Sequence, residues 1–461
     1  MSSLKTNYRE LSSDLDTPVA LYAKIKNKFD DAFLFESIIG GEQLARYSLI
    51  GFRALDIIKT YANDTSNPYE LLSQKLAANY QKSDLDFFHI GYVGIFSFES
   101  ISRFEPSLKP QNSSSPECYL MLPGSLIVID NATQKLYLVD NYNDSIDESD
   151  KRLSSVEAII SSAIELERID TSRENIREDL NGFTSNTGKE SFLDIVDLCK
   201  KHIHEGDVFQ IVPSHKLRKN IQVDPLKVYR RLRTINPSPY MFIFNFEQTT
   251  LVGASPESLV KSIWEQDALK AFVKPIAGTY KRGKTFAEDA ELIEKLSNDP
   301  KEIAEHVMLI DLARNDLGRV AQAGTVKIEE KMSIEKYSHV MHIVSTVSAK
   351  LKPEADPVQL LQACFPAGTL SGAPKIEAVR ILSELEKEPR DYYGGCIGCF
   401  AFDKSINTAI TIRTLVIEPD RVTIQAGAGI VADSQPELEW QETINKASAL
   451  ISALDLPQNR P

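Results

Sequence analysis

Cysteine is scarce in this chain: five in 461 residues, an odd number that builds no disulfide framework. A reducing compartment is the simpler reading. No uncharged apolar run approaches the ~18 residues a bilayer span requires. The first 16 residues (MSSLKTNYRELSSDLD) are polar and lack the apolar core of a signal peptide. A soluble, cytoplasmic protein without a membrane partner is therefore expected. An excess of basic charge is also missing, since 52 Lys and Arg face 65 Asp and Glu for a net charge of -13. No net basic field exists to gather nucleic acid. A small anionic substrate stays open, because a pocket can differ in sign from the whole surface. What is present is ordinary: 42% hydrophobic, 25% charged, 21 Gly and 22 Pro, values that exclude disorder and fibrous repeats.

Short apolar runs punctuated by turn residues predict strands at 32–39, 47–52, 89–98, 125–130 and 135–139, then a helix at 148–167. The polar, aperiodic stretch from about 170 to 189 marks a boundary between a region 1–170 and a region 185–461. The second region opens with a helix whose apolar face is Phe192, Ile195, Val196, Cys199 and Ile203. Strands follow at 241–246, 250–254, 259–263, 269–276, 397–402, 408–417 and 421–426, with helices near 286–317 and 436–454. Strands succeed one another like hairpins rather than alternating with helices. An α+β fold of antiparallel sheets with outer helices is expected.

The segment Gly278 to Thr285 (GTYKRGKT) satisfies the pattern of a phosphate-cradling loop. Its context argues against a nucleotide hydrolase. The preceding strand carries Lys274 and Pro275, where that fold needs a buried apolar run, and the following HVMLID has helical period. Cys396 and Cys399 form a CxxC, but on a strand they point to opposite faces, and no second pair completes a zinc site. His202 and His204 do not share a helix face.

Carboxylates in unfavourable places say more. Glu305 lies beside the most apolar residues of its helix, and Glu439 and Glu442 are three apart on the last helix, following the glycine-rich QAGAG. Oxygen ligands from two helices suit Mg²⁺, which borrows further ligands from an anionic substrate; solvated helix faces are the plainer alternative. Arg413 sits mid-strand in TAITIRTLVIE, where a guanidinium implies a carboxylate partner, internal or ligand. His339 and His342 could share a helix face.

Together and in order, FQIVPSH, NPSPYMF, VGASPE, KPIAGT, EHVMLIDLARNDLGRV, YSHVMHIVS, GTLSGAPK, YGGCIGCF, TIRT, QAGAGIVADS and the ExxET at Glu439–Thr443 resemble the large, chorismate-binding components of anthranilate synthases. LFES and RYSLIG carry a looser likeness in the first half. The resemblance implies an antiparallel sandwich and a Mg²⁺-dependent lyase that aminates chorismate and eliminates pyruvate to give anthranilate, in tryptophan biosynthesis. Relatives forming aminodeoxychorismate carry Lys where this chain has Ala277, and relatives that hydrate chorismate carry Lys where it has Gln210. With neither nucleophile nor base there, an external amine must attack. Aminodeoxychorismate synthase is the nearest alternative, a P-loop hydrolase a distant one.

By the same resemblance, Glu305 and Glu442 hold Mg²⁺, with Glu439 orienting its waters. Arg413, Tyr393 and the N–H groups around Gly427, Ala428 and Gly429 take the side-chain carboxylate, while Gly278 and Thr279 line the ring. Glu257 is the general acid, His342 assists proton removal, and Thr369 adjoins the ring. Glu36, Ser37, Pro239, Tyr240 and Met241 match a site for tryptophan as inhibitor. No cysteine sits in a glycine-flanked nucleophile turn. Ammonia is thus expected from a separate glutamine amidotransferase subunit, in a heterotetramer.

Overall fold

The strand Cys118–Asp130 is buried along all 13 of its residues, whereas the sequence marks only 125–130. The reason is its position in the computed structural model, which describes residues 4–38, 46–82, 85–169, 179–283, 285–336 and 340–455. One edge pairs with the long strand Tyr47–Thr60. The other edge is divided, its first half pairing with Gly91–Phe96 and its second with Lys135–Tyr142. Two sheets diverge from this shared ribbon, so a continuous apolar run replaces the alternation of a one-sided strand.

The first sheet continues from Tyr47–Thr60 through Phe33–Glu36, Tyr240–Phe246, Thr249–Ser255, Thr414–Ile417 and Arg421–Gly427 to Ser214–Asn220. The second runs from Gly91–Phe96 through Cys396–Ala401, Ile406–Ile410, Ser258–Glu265 and Ala268–Val273 to Val340–Lys350. All these pairings are antiparallel, as the hairpin-like succession predicts. Phe33, Phe242 and Phe244 of one sheet meet Val93, Ile95 and Ile397 of the other in a shared apolar core. Helices Pro18–Lys26, Ile146–Ser161, Pro225–Ile235 and Pro436–Ala453 cover the first sheet's outer face. Pro68–Ala78, Pro300–Gly318 and Pro357–Cys364 cover the second. The architecture is a four-layered α+β sandwich. Residues before 170 and after 185 contribute to both sheets, so the two sequence regions interleave. Among the described residues no helix is long and apolar enough to cross a membrane.

Several local expectations change. The strand expected at 269–276 breaks at Lys274 and Pro275 into Ala268–Val273 and Ile276–Lys281, which follow one edge of Val340–Lys350 in succession. His342 is on that strand rather than a helix, because β-branched residues dominate VMHIVSTVS; His339 lies outside the described residues. Gly278 to Lys281 are strand, and the Gly283 amide donates to Asp289 at 2.7 Å, so no phosphate cradle forms there; Lys284 lies outside the described residues. Cys396 faces the outer core and Cys399 the inter-sheet core, the opposite faces their spacing implies.

Candidate active site

Two neighbouring strands leave the first sheet at the same level and enter the second. Thr249–Ser255 gives way to Ser258–Glu265, while its partner Thr414–Ile417 is preceded by Ile406–Ile410. Glu257 and Arg413 occupy the two breaks, which remain cross-linked: the Ile410 amide donates to the Glu257 carbonyl and the Ala254 amide to the Arg413 carbonyl, both at 3.1 Å. Arg413 is thus not mid-strand. Its φ of 50° is left-handed, a conformation costing a non-glycine residue about 1 kcal/mol, and strain of this kind concentrates at functional sites.

The break turns the Arg413 side chain out of the ladder. Its guanidinium has no hydrogen bond or ion pair among the described residues; half-buried, it is held below the usual arginine range by desolvation, opposed by Tyr393, Glu442 and Glu257. The internal carboxylate partner that a sheet-bound guanidinium implies is absent among those residues. Such a group stands ready for an external anion. Burial also pushes the Glu257 carboxyl up to about 7, against the smaller opposing effects of Thr369, Lys446 and Arg413. The Thr369 hydroxyl donates to Glu257 Oε1 at 3.0 Å. Glu257 can therefore hold a proton near neutrality and release it, as a general acid must.

His342 pairs across the ladder with Thr279, whose side chain lies outside the description, and its Nδ1 donates to the Gly278 carbonyl at 2.9 Å. That bond fixes the neutral tautomer with the basic lone pair on Nε2. Desolvation lowers the ring's pKa, with the Gly278 carbonyl opposing. Gly278 takes a φ of 66°, and an added Cβ would stand 3.0 Å from Glu302 Oε2.

Helix Pro300–Gly318, capped by Asp299, presents Glu302 and Glu305; helix Pro436–Ala453 presents Glu439 and Glu442. Burial raises Glu302, with Glu305 and Glu442 adding to it, and burial raises Glu439, with Glu442 adding to it. Glu302 thus feels Glu305 on its own helix and Glu442 on the other, and Glu439 feels Glu442, an all-oxygen donor set that suits a hard divalent cation. They do not yet converge. Glu442 is paired with Lys446 at 2.5 Å, and Lys446 also donates to the Gly427 carbonyl. Among the described residues, the group whose ligand atoms all lie within 4.8 Å is instead His202, Glu205 and Asp207 at a helix end.

The structure corrects the glycine-rich segment. The Ala428 amide donates to the Pro213 carbonyl and its side chain is buried, so it does not face a ligand. Gly427 packs close to the Tyr393 hydroxyl, whose pKa burial pushes up to about 12, and a Cβ on Gly429 would meet Gln210 at 2.8 Å. Sequence reasoning missed Glu302, Lys446 and the Gln210 amide, which donates to Glu305 at 3.3 Å. The first two were readable as i−3 and i+4 neighbours of Glu305 and Glu442; the third needed the fold. His215 was also missed. It bonds Thr443 at 2.8 Å and stacks on Trp440, locking the last helix in place.

Away from this site, Met241 pairs with Glu36 in the first sheet, bringing LFES and PSPYM together. Ser37 follows the strand end, Pro239 is buried, and burial pushes Tyr240 up to about 12. The Glu36 carboxylate already accepts from Tyr229 at 2.5 Å and from Arg233 Nε at 2.6 Å.

A family model described as chorismate binding enzyme matches residues 30–452. The anthranilate synthase component 1 of Synechocystis sp. is 41% identical over 97% of this chain and 95% of its own length. That of Acinetobacter calcoaceticus is 39% identical over 98% and 95%. The crystal structure of anthranilate synthase component I from Streptococcus pneumoniae superposes with a TM-score of 0.78 at 31% identity, covering 96% of this chain and 100% of that one. The menaquinone-specific isochorismate synthase of Escherichia coli shares the fold, with a TM-score of 0.76 at 19% identity, over 98% and 96% of the two chains.

Proposed function

The chain belongs to the chorismate-binding enzyme family, and from that premise we propose that it aminates chorismate and eliminates pyruvate, yielding anthranilate for tryptophan biosynthesis. The observation that carries this reading is the half-buried Arg413, without a hydrogen-bond or ion-pair partner among the described residues, beside a carboxyl whose pKa burial pushes up to about 7. Chorismate is a dianion with a leaving hydroxyl, and the two groups answer those two features. Its enolpyruvyl carboxylate meets Arg413 and Tyr393. Ammonia adds at C2 as the C4 hydroxyl departs as water, carrying the proton of Glu257. His342 then takes the C2 proton at Nε2, pyruvate leaves, and the ring becomes aromatic.

The residues fit a magnesium ion. Glu305 and Glu442 would hold it once Lys446 releases Glu442, with Glu439 orienting its waters; when bound, it supplies Lewis-acid polarisation of a substrate carboxylate. The ammonia comes from a glutamine amidotransferase subunit, in a heterotetramer. All five cysteines are buried, and desolvation raises every one, so none offers the reactive thiolate that glutamine hydrolysis needs. Tryptophan would act through the Glu36 region by favouring the arrangement of strands it contacts best. The enzyme works in the cytoplasm.

The test is incubation of the purified chain with chorismate, Mg²⁺ and either ammonium or glutamine. Fluorescent anthranilate should form with ammonium and not with glutamine. Accumulation of a non-aromatic product aminated at C4 would favour the aminodeoxychorismate reading; no reaction with ammonium would end both.

A further inference from the structure

The first sheet changes character at its far end. On the outer face of Ser214–Asn220, Arg421–Gly427 and Thr414–Ile417, Leu217, Ile424 and Leu415 lie in the apolar core under the helices. On the inner face, the cross-strand row Arg218, Thr423 and Val416 lies beside Lys216, Gln425 and Thr414. Elsewhere that inner face is packed with phenylalanine and aliphatic residues against the second sheet. Here it floors a polar cavity of about 220 Å³, roofed by residues 112–115 and 388–393. The volume falls below the roughly 300–1,000 Å³ of drug-sized ligand pockets, a scale that suits a small metabolite.

The charges in this cavity come in opposed pairs. Lys216, only 5% exposed, is paired with Asp391, and Arg218 is paired with Glu388 through both terminal nitrogens. The Arg218–Glu388 pair is about a third exposed, but the Lys216–Asp391 pair is largely enclosed, and a buried ion pair seldom repays its desolvation. Asp391 also adopts a left-handed φ of 58° that a non-glycine residue rarely takes. Arg421 is likewise paired with Glu418, and Arg390 with Glu386, so a simple anion would confront the Asp391, Glu388 and Glu418 carboxylates and a simple cation the four basic groups. A molecule carrying both signs a few ångströms apart can exchange partners with the Lys216–Asp391 and Arg218–Glu388 pairs, while Thr423 and Gln425 supply neutral hydrogen bonds. We propose that this cavity is a binding site for a free α-amino acid, with its carboxylate toward Lys216 and Arg218 and its ammonium toward Asp391 and Glu388. The site is separate from the Glu36 region and does not depend on the reaction assigned above, although Tyr393 is common to its wall and the catalytic pocket.

Glycine, L-serine, L-glutamine and L-tryptophan, probes of graded size, test it by thermal shift and isothermal titration on the full chain. Thr423→Trp fills the floor, and Arg218→Met removes one charge pair should the first variant lack a cooperative melt. The expected result is at least one probe that binds saturably to wild type and to Glu36→Gln, and loses ten-fold or more in affinity in the cavity variant. If none of the four binds wild type, or if every shift survives the cavity variant or disappears with Glu36→Gln, the proposal is overturned.

Discussion

Glu36 ends a strand of this sandwich and Glu257 fills a break between two, and the surroundings of these two carboxylates are opposite. Glu36 is neutralised by Arg233 and by the Tyr229 hydroxyl. Glu257 has one hydroxyl donor, Thr369, and sits beside an arginine with no hydrogen-bond or ion-pair partner among the described residues. The satisfied pair is what a stable fold requires of a buried charge. The second pair leaves a half-buried guanidinium with hydrogen-bonding capacity that an anionic ligand can use. On the proposed function the second pair serves the chemistry and the first does not, and each region predicts a different response to mutation.

The largest expected effect is at Glu257. Glu257→Gln keeps the shape and removes the proton, so kcat should fall by about 10²–10⁴-fold. In wild type the acid must be protonated, so kcat/KM should decline as pH rises through about 7, and this limb should vanish from the residual activity of the variant. On the acid side activity should fall only below the ordinary histidine range, because burial keeps His342 neutral. Glu36 should invert the pattern. Arg233→Met leaves a carboxylate buried without its cation and should cost on the order of 3 kcal/mol in denaturant unfolding, with ammonium-dependent kcat unchanged. A loss of kcat greater than about ten-fold in the folded variant would erase the contrast.

Smaller effects sharpen it. Lys446→Met frees Glu442 from its ion pair, and the apparent Mg²⁺ affinity of the activity should rise by about two- to five-fold, the range of a partly exposed pair worth up to ~1 kcal/mol. Unchanged Mg²⁺ dependence would remove Lys446 from the account. Burial lowers His215 and His306 to about 4 each. The unfolded chain binds protons at those sites first, so stability should be complete above about pH 6.5 and erode as pH falls toward 4; equilibrium unfolding at both pH values checks the sign.

Much of this was legible beforehand. The strand runs, the antiparallel class and the opposite faces of Cys396 and Cys399 follow from period-two alternation and turn residues. What stayed hidden depends on contacts between distant segments. Periodicity reads 408–417 as one strand, because each half alternates correctly and nothing local announces the left-handed Arg413 between them. The engagement of Ala428 by Pro213 and of Glu36 by Arg233 arises from partners more than 190 residues away. The pairing of Glu442 with Lys446 was local, and the i+4 spacing displayed it.

The central claim is that Arg413, which has no hydrogen-bond or ion-pair partner among the described residues, binds a chorismate carboxylate. The most direct measurement is the dissociation constant of chorismate for folded Arg413→Met against wild type, in the presence of Mg²⁺ and without ammonium. Loss of hydrogen bonds to a charged group predicts affinity weaker by roughly 10–150-fold, the equivalent of about 1.5–3 kcal/mol. An affinity within about two-fold of wild type would contradict the claim.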